Sequence, residues 1–334
     1  MRLSCNKIIF TLISIDINTS INTLQEFLES KNWLNAHEKI SVISKPGEGN
    51  MNVVLRVITN QRSFILKQSR PYVQKYQQIE APLSRIEVEY KFYEAVQGAF
   101  ISAHIPAILE FDQKNYLIQM QDLGQCDDMT FCYQDRKISY QILEKLVNIS
   151  EAIHKLGNVQ NFPENKILRQ LNHQHIFVLP FLEDNGFQLN DIQEGLQELS
   201  LPYKKDTAIK TVVHKLGERY LSKGNVLIHG DYYPGSWMQL ENEVYIIDPE
   251  FSFIGFKEFD LGVMTAHLIM ATMDDSSLAT VMELYKGEVN NSFVSRVAGI
   301  EIMRRLIGLA QLPLQRTIEE KDYLLQLARK MILV

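Results

Sequence analysis

Hydrophobic spacing along the chain changes character part-way. Leu24 to Leu34 (LQEFLESKNWL) carries apolar residues at helical intervals, with Thr23 as the expected cap. Short strand-like segments follow: Ile40 to Ile43, the turn-rich SKPGEGN, Met51 to Ile58 (MNVVLRVI), a hairpin turn at Asn60 and Gln61, and Ser63 to Gln68 (SFILKQ) as the paired strand. Arg85 to Gln97 predicts a helix with Ile86, Tyr90, Tyr93 and Val96 along one stripe, and two more strands are expected around 107–111 and 115–121. After Asp122-Leu123-Gly124 helical periodicity takes over. Ile142, Leu143, Leu146, Ile149, Ile153 and Leu156 mark one amphipathic helix, and Ile209, Val212, Val213, Leu216 and Tyr220 another. Val226 to Ile228 and Val244 to Ile247 read as a small buried strand pair, followed by helices around 260–273, 293–311 and 317–332. The pattern predicts an α+β protein: a strand-rich lobe with one main helix, then a mostly helical lobe.

Composition narrows the class. The 334 residues are 46% hydrophobic and 22% charged, as in ordinary globular proteins. With 34 Lys and Arg against 40 Asp and Glu, the formal net charge is −6, which argues against a nucleic-acid binder but allows a local anion pocket. Cys5, Cys126 and Cys132 form neither a disulfide scaffold nor a zinc spacing, so reduced thiols in the cytoplasm are expected. No apolar run reaches the roughly 18 residues of a membrane helix. Ile8 to Ile15 has the look of a short signal core, but it lacks a cleavage signature and Asp16 follows at once. Residues 1–20 are therefore read as an N-terminal extension or an overlong start.

Three constellations carry candidate chemistry. Gly47-Glu48-Gly49-Asn50 lies between two expected strands, where two glycines can form either a plain turn or a loop that brings backbone N–H groups to a phosphate. Lys67 sits inside FILKQ, where a lysine ordinarily snorkels from a strand edge. Glycine hairpin, strand, lysine strand and a helix holding Glu87 and Glu89 is nonetheless the small-lobe order of kinases. Finally, His229-Gly230-Asp231 follows the apolar run ending at Ile228, and Asp248-Pro249-Glu250 follows a second run. Each aspartate alone could be a turn cap. Together they supply what phosphoryl transfer needs: Asp231 to accept a hydroxyl proton, Asp248 and Glu250 to hold magnesium.

These residues resemble the aminoglycoside phosphotransferase and choline kinase superfamily, and most nearly the methylthioribose kinases. The shared features are His229-Gly230-Asp231 with Gly235-Ser236, Asp248-Pro249-Glu250-Phe251-Ser252-Phe253, Gly255, and Phe259-Asp260-Leu261-Gly262. Upstream, Gly47-Glu48-Gly49-Asn50-Met51-Asn52 is similar to the family's GDGNLN loop, Lys67-Gln68 and Pro71-Tyr72 to its KQ…PY segment, and Arg85-Ile86-Glu87 to its helix start. Glu301 to Ala310 (EIMRRLIGLA) resembles its double-arginine segment. The chain departs from the family at Tyr232-Tyr233-Pro234, where relatives carry Leu-His-Thr, and in a shorter stretch between Gly262 and Gly299.

The resemblance implies a two-lobed protein-kinase-like fold. Its lobes would be a nucleotide-binding lobe at 21–121 and a catalytic, acceptor-binding lobe at 122–334, with ATP in the cleft between them. Gly47, Gly49 and Asn50 would cover the phosphates, Lys67 would contact them with Glu87 orienting it, and backbone around Gln121, Asp122 and Leu123 would meet adenine. Asp231 would activate the acceptor hydroxyl, and Asp248 and Glu250, with Ser236, would hold Mg2+. Arg304 and Arg305 point about 100° apart on a helix. Either both are solvated, or one aims at the active site and stabilises acceptor or phosphoryl oxygens. Tyr232 and Tyr233 are candidate walls of the acceptor site. The acceptor is a small hydroxylated molecule, methylthioribose first, with other sugars, aminoglycosides or choline behind it. No nucleic acid or membrane partner is expected, and a homodimer is compatible with this reading. The competing class is a non-catalytic nucleotide-binding relative. Trp237, His154 and His267 read as core, and His229 as loop support.

Overall fold

The structure is a computed structural model that describes residues 13–47, 51–98 and 100–334. The chain forms two compact units. One takes the described residues up to Tyr90 together with Ala107–Asp122, and the other takes Lys91–Pro106 and Leu123–Val334.

The first unit begins with α1 (Ile21–Ser30). Its N-cap is Ser20, whose hydroxyl accepts the Thr23 N–H at 3.1 Å, so the helix starts earlier than expected and Thr23 lies within its first turn. An antiparallel sheet follows, built from β1 (Ile40–Ser44), β2 (Val53–Thr59), β3 (Ser63–Gln68), β6 (Ile108–Asp112) and β7 (Leu117–Gln121), in the order β1-β2-β3-β7-β6. A small hairpin of β4 (Tyr72–Val73) and β5 (Tyr76–Glu80) precedes α2 (Arg85–Ala95), whose second half counts with the other unit.

Strand alternation gives this sheet two faces. Leu55, Val57, Phe64, Leu66 and Leu117 pack with Leu24, Leu28 and Trp33 in one buried cluster. Each such side chain contributes about 1.5–3 kcal/mol by leaving water. The register Val54↔Lys67, Arg56↔Ile65 and Lys67↔Ile118 places Lys67 on the opposite face.

The second unit is mostly helical: α3 (Phe131–Asp135), α4 (Tyr140–Lys155), α5 (Lys166–His173), α6 (Leu196–Lys205), α7 (Thr207–Leu221), α8 (Lys257–Thr272), α9 (Ser277–Leu284), α10 (Asn291–Ile307) and α11 (Ile318–Ile332). Its core joins Ile209, Val213 and Tyr220 of α7 to Val263, Ala266 and Ile269 of α8, Ile300, Met303 and Leu306 of α10, and Leu324 and Ala328 of α11. The expected strand pair is corrected here. β9 (Val226–Ile228) pairs with β12 (Phe253–Gly255), while β11 (Glu243–Ile246) pairs with β10 (Trp237–Leu240), which also bonds β8 (Asp127–Asp128). Two tiny sheets therefore stand where one was expected, and their four connecting ends carry the acidic loops. Cys126 and Cys132 are free thiols. Among the described residues no helix is long and apolar enough to cross a membrane.

Candidate active site

In the first unit, Lys67 is buried, and both carboxylate oxygens of Glu89 lie against its Nζ, at 2.8 and 2.7 Å. This corrects the expected partner. Glu87 is half-buried and accepts from Gln113 Nε2 at 3.3 Å. Residues two apart on a helix point roughly 200° apart, so only one of the two glutamates can face the sheet. Arg85, fully buried one turn earlier, donates to the Asn52 side chain and to the carbonyls of Met51, Arg70 and Pro82. It ties the start of β2 to α2. Gly47 lies in an exposed bend, while Gly49 and Asn50 fall outside the described residues. At the far end of the sheet the Gln121 N–H donates to Ala107 O at 2.8 Å, and Arg56 bonds the Asp122 carboxylate through Nε at 3.2 Å and Nη2 at 3.0 Å. Leu123 opens the next segment of the second unit.

In the second unit, pairing of β9 with β12 sets His229-Gly230-Asp231 beside Phe251-Ser252. Gly230 has φ +85°, and a Cβ there would lie 2.2 Å from Phe251 O, so only glycine fits. The two loops are stitched by three bonds: His229 Nε2 to Ile247 O at 3.0 Å, Ile247 N–H to Ser236 O at 3.0 Å, and Ser252 Oγ to His229 O at 3.1 Å; within the first loop Ser236 Oγ donates to Asp231 O at 2.9 Å. Because His229 Nε2 donates, its Nδ1 is the acceptor for the Asp231 N–H at 3.3 Å, which is the supporting role expected of it. From behind, Asp260 of α8 accepts the backbone N–H of His229 at 2.7 Å and of Gly230 at 2.9 Å, and contacts His154 Nε2 at 3.2 Å.

The Asp231 carboxylate remains one-fifth exposed, 3.6 Å from Arg305 Nη2. Burial pushes its pKa up to about 6. Arg305 and Arg304 oppose that rise, and the negative charges of Glu301 and Asp248 add to it. Asp248, two residues past β11, lies in the left-handed region at φ 62°, and Glu250 is buried in the turn Pro249–Phe251. Asn165 holds this turn by donating to the carbonyls of Glu250 and Ser252.

Neither arginine is solvated. Arg304 and Arg305 are both buried and both bond Glu301, one turn earlier on α10. Arg305 also lies over the Tyr233 ring, 4.8 Å from its centroid. The two tyrosines separate: Tyr233 lines this group, but Tyr232 is fully buried and donates its hydroxyl to Leu146 O at 2.8 Å, so it is core and no wall. Trp237 is likewise fully buried.

Hard oxygen donors suit magnesium. Among the described residues no three His, Cys, Asp or Glu side chains gather as an all-protein metal cage. A magnesium ion carried on phosphates takes only one or two protein carboxylates. Asp248 and Glu250 are two such donors on one short turn, whereas the Ser236 hydroxyl proton is committed to Asp231 O.

Sequence reasoning missed the anchoring roles of Glu89, Arg85, Asp260 and Glu301. Only Glu301 left a local signal, a carboxylate three and four positions before two arginines on a helix.

The phosphotransferase enzyme family model matches residues 42–292. Curated methylthioribose kinases of Geobacillus sp. (strain WCH70) and Bacillus cereus (strain B4264) are each 25% identical, over 86% of this chain and 84% of their own. Two solved structures share the protein-kinase-like α+β fold. Choline kinase LicA from Streptococcus pneumoniae has TM-score 0.53 and 13% identity, over 92% of this chain and 98% of that one. A spectinomycin phosphotransferase in complex with ADP and spectinomycin has TM-score 0.51 and 13% identity, over 95% of this chain and 100% of that one.

Proposed function

This chain belongs to the phosphotransferase enzyme family and is a small-molecule kinase; from that premise we propose that it moves the γ-phosphate of ATP to a hydroxyl of a methylthioribose-like sugar. The reading rests on one observation above others. Asp231 faces Arg305 at 3.6 Å on a loop stitched to the segment that carries Asp248 and Glu250.

Asp231 takes the proton from the acceptor hydroxyl. With a pKa near about 6 it is mostly ionised at neutral pH yet more basic than an ordinary aspartate, which suits a general base. Arg305 places positive charge where the acceptor oxygen and the transferred phosphoryl group are negative. In the first unit Lys67 binds the α and β phosphates, held in place by Glu89, with Gly47, Gly49 and Asn50 as further candidate phosphate contacts from the sequence. Adenine meets the backbone of Gln121 to Leu123. Since the Gln121 N–H already serves Ala107, that residue offers its carbonyl. Asp248 and Glu250, with the Ser236 oxygen, would hold a magnesium ion, which would supply countercharge to the β and γ phosphates.

Two residues bias the choice of acceptor. Tyr233, stacked under Arg305, offers an apolar face beside a cation, which suits an acceptor with both a thioether and hydroxyls. Purified protein with magnesium ATP should release ADP with methylthioribose and not with ribose, choline or an aminoglycoside. Turnover of one of those, with methylthioribose inert at millimolar concentration, would replace the acceptor and leave the kinase reading in place.

A further inference from the structure

Behind Asp231 lies a buried network to which the steps proposed above assign no role. Glu301 of α10 is buried and receives three partners at one carboxylate: Arg305 Nε at 2.6 Å, Arg304 Nη1 at 3.0 and 3.1 Å, and His267 Nε2 at 3.1 Å. His267, on α8, is fully buried. An ionised carboxylate can only accept, so His267 donates through Nε2 and its bare Nδ1 accepts the Tyr133 hydroxyl at 2.5 Å. Burial lowers the His267 pKa to about 4, which keeps it neutral in this role. The two arginines hold the Glu301 carboxyl well below its usual range against the opposing effect of burial.

The direction of these bonds matters. Glu301 occupies the Nε edge of the Arg305 guanidinium, and Ala310 O lies 3.4 Å from Nη1. The remaining corner, Nη2, is the one that faces Asp231. Tyr233 covers the guanidinium plane. A guanidinium is a rigid fork, so fixing one edge fixes where the other points. Without Glu301 the side chain of Arg305 would regain its rotamers, and its cation would be free to collapse onto Asp231.

We propose that Glu301 is a positioning residue for phosphoryl transfer: held by His267 and Tyr133 from one side, it grips the Nε edge of Arg305 and so aims Nη2 at the acceptor side of Asp231. The inference rests on the phosphotransferase reading given above. Arg304 shares the same carboxylate and balances its charge.

The test is a double-mutant cycle in the full-length protein. Glu301→Gln keeps shape but loses the charge, Glu301→Asp keeps the charge but shortens the reach, and each is made alone and with Arg305→Ala. Far-UV circular dichroism and calorimetric ATP binding report on folding and on the nucleotide site, and ADP release with the best acceptor gives kcat and KM. Glu301→Gln should lower kcat by about 10- to 100-fold, in the range of one charge-assisted hydrogen bond, with KM for ATP within about twofold of wild type. Glu301→Asp should lose kcat less. In the Arg305→Ala background neither change should cost anything more, because there is no guanidinium left to aim. If Glu301→Gln does not fold, Glu301→Asp in the same cycle decides the matter. Wild-type kcat in a folded Glu301 variant, or losses that add fully to that of Arg305→Ala, would overturn the inference while leaving the kinase intact. A wild type that phosphorylates no acceptor fails the kinase reading and takes the inference with it.

Discussion

Exchanging Glu89 for glutamine should cripple nucleotide binding, and the same exchange at Glu87 should not. The Lys67 side chain is 3% exposed and that of Glu89 is fully buried, with both carboxylate oxygens within 2.8 Å of Nζ. Removing one partner of a buried pair strands the other charge, at about 3–5 kcal/mol of stability. For the ligand, under the proposed role of Lys67, the relevant loss is a lysine no longer held in place for phosphate. If one charge-assisted hydrogen bond of about 1.5–3 kcal/mol is lost, ATP affinity falls roughly 10- to 150-fold. Glu87 has no such leverage, because among the described residues it accepts only from the Gln113 side chain, at 3.3 Å near the surface. Calorimetric titration of ATP into Glu89→Gln and Glu87→Gln, with melting curves for each, separates the cases. The expected result is weak binding and a lowered melting temperature for the first and near-wild-type values for the second. Equal weakening by both, or unchanged affinity in Glu89→Gln, would refute the assignment of the pair.

Three further outcomes are expected. Asp231→Asn keeps shape but removes the proposed proton acceptor, so turnover should drop by on the order of 10²–10⁴ while calorimetry still detects ATP. Because the Asp231 pKa is raised to about 6 and the reacting form is the ionised one, turnover measured across pH should fall as pH drops through about 6 and level off above it. A profile flat down to pH 5 would contradict this. Asp248→Ala should remove the magnesium dependence of ATP binding, read by titrations with and without the ion, and an unchanged dependence would exclude Asp248 as a ligand.

Most elements of both units were legible because their patterns are local. β2 alternates, β3 and β7 are short apolar runs, α4, α7 and α11 carry apolar stripes, and α8 and α10 are long enough and apolar enough to stand out as buried helices. β10 and β12 were not, since WMQL and FIG lack the β-branched apolar runs that marked β9 and β11, and β12 pairs with a strand about 25 residues back. The acidic loops were legible as motifs, but the residues that hold them were not. Asp260 reaches back 30 and 31 positions to the Gly230 and His229 amides, and nothing in the spacing announces it. The Glu87 expectation failed for a narrower reason. Two glutamates on one helix differ only in phase, and phase is fixed by which residues the helix buries, here Ile86, Glu89 and Phe92.

The Asp260 anchor has an evolutionary corollary. It grips the loop that carries Asp231 by main-chain N–H groups alone, so it is blind to the side chains further along that loop. Tyr233 and Pro234 can then drift, or be redesigned, while Asp231 stays where it is. A kinase built this way can change its clientele by a few substitutions without relearning its chemistry, and retargeting libraries aimed at 233 and 234 should yield folded, ATP-competent proteins far more often than libraries aimed at 229, 230 or 260.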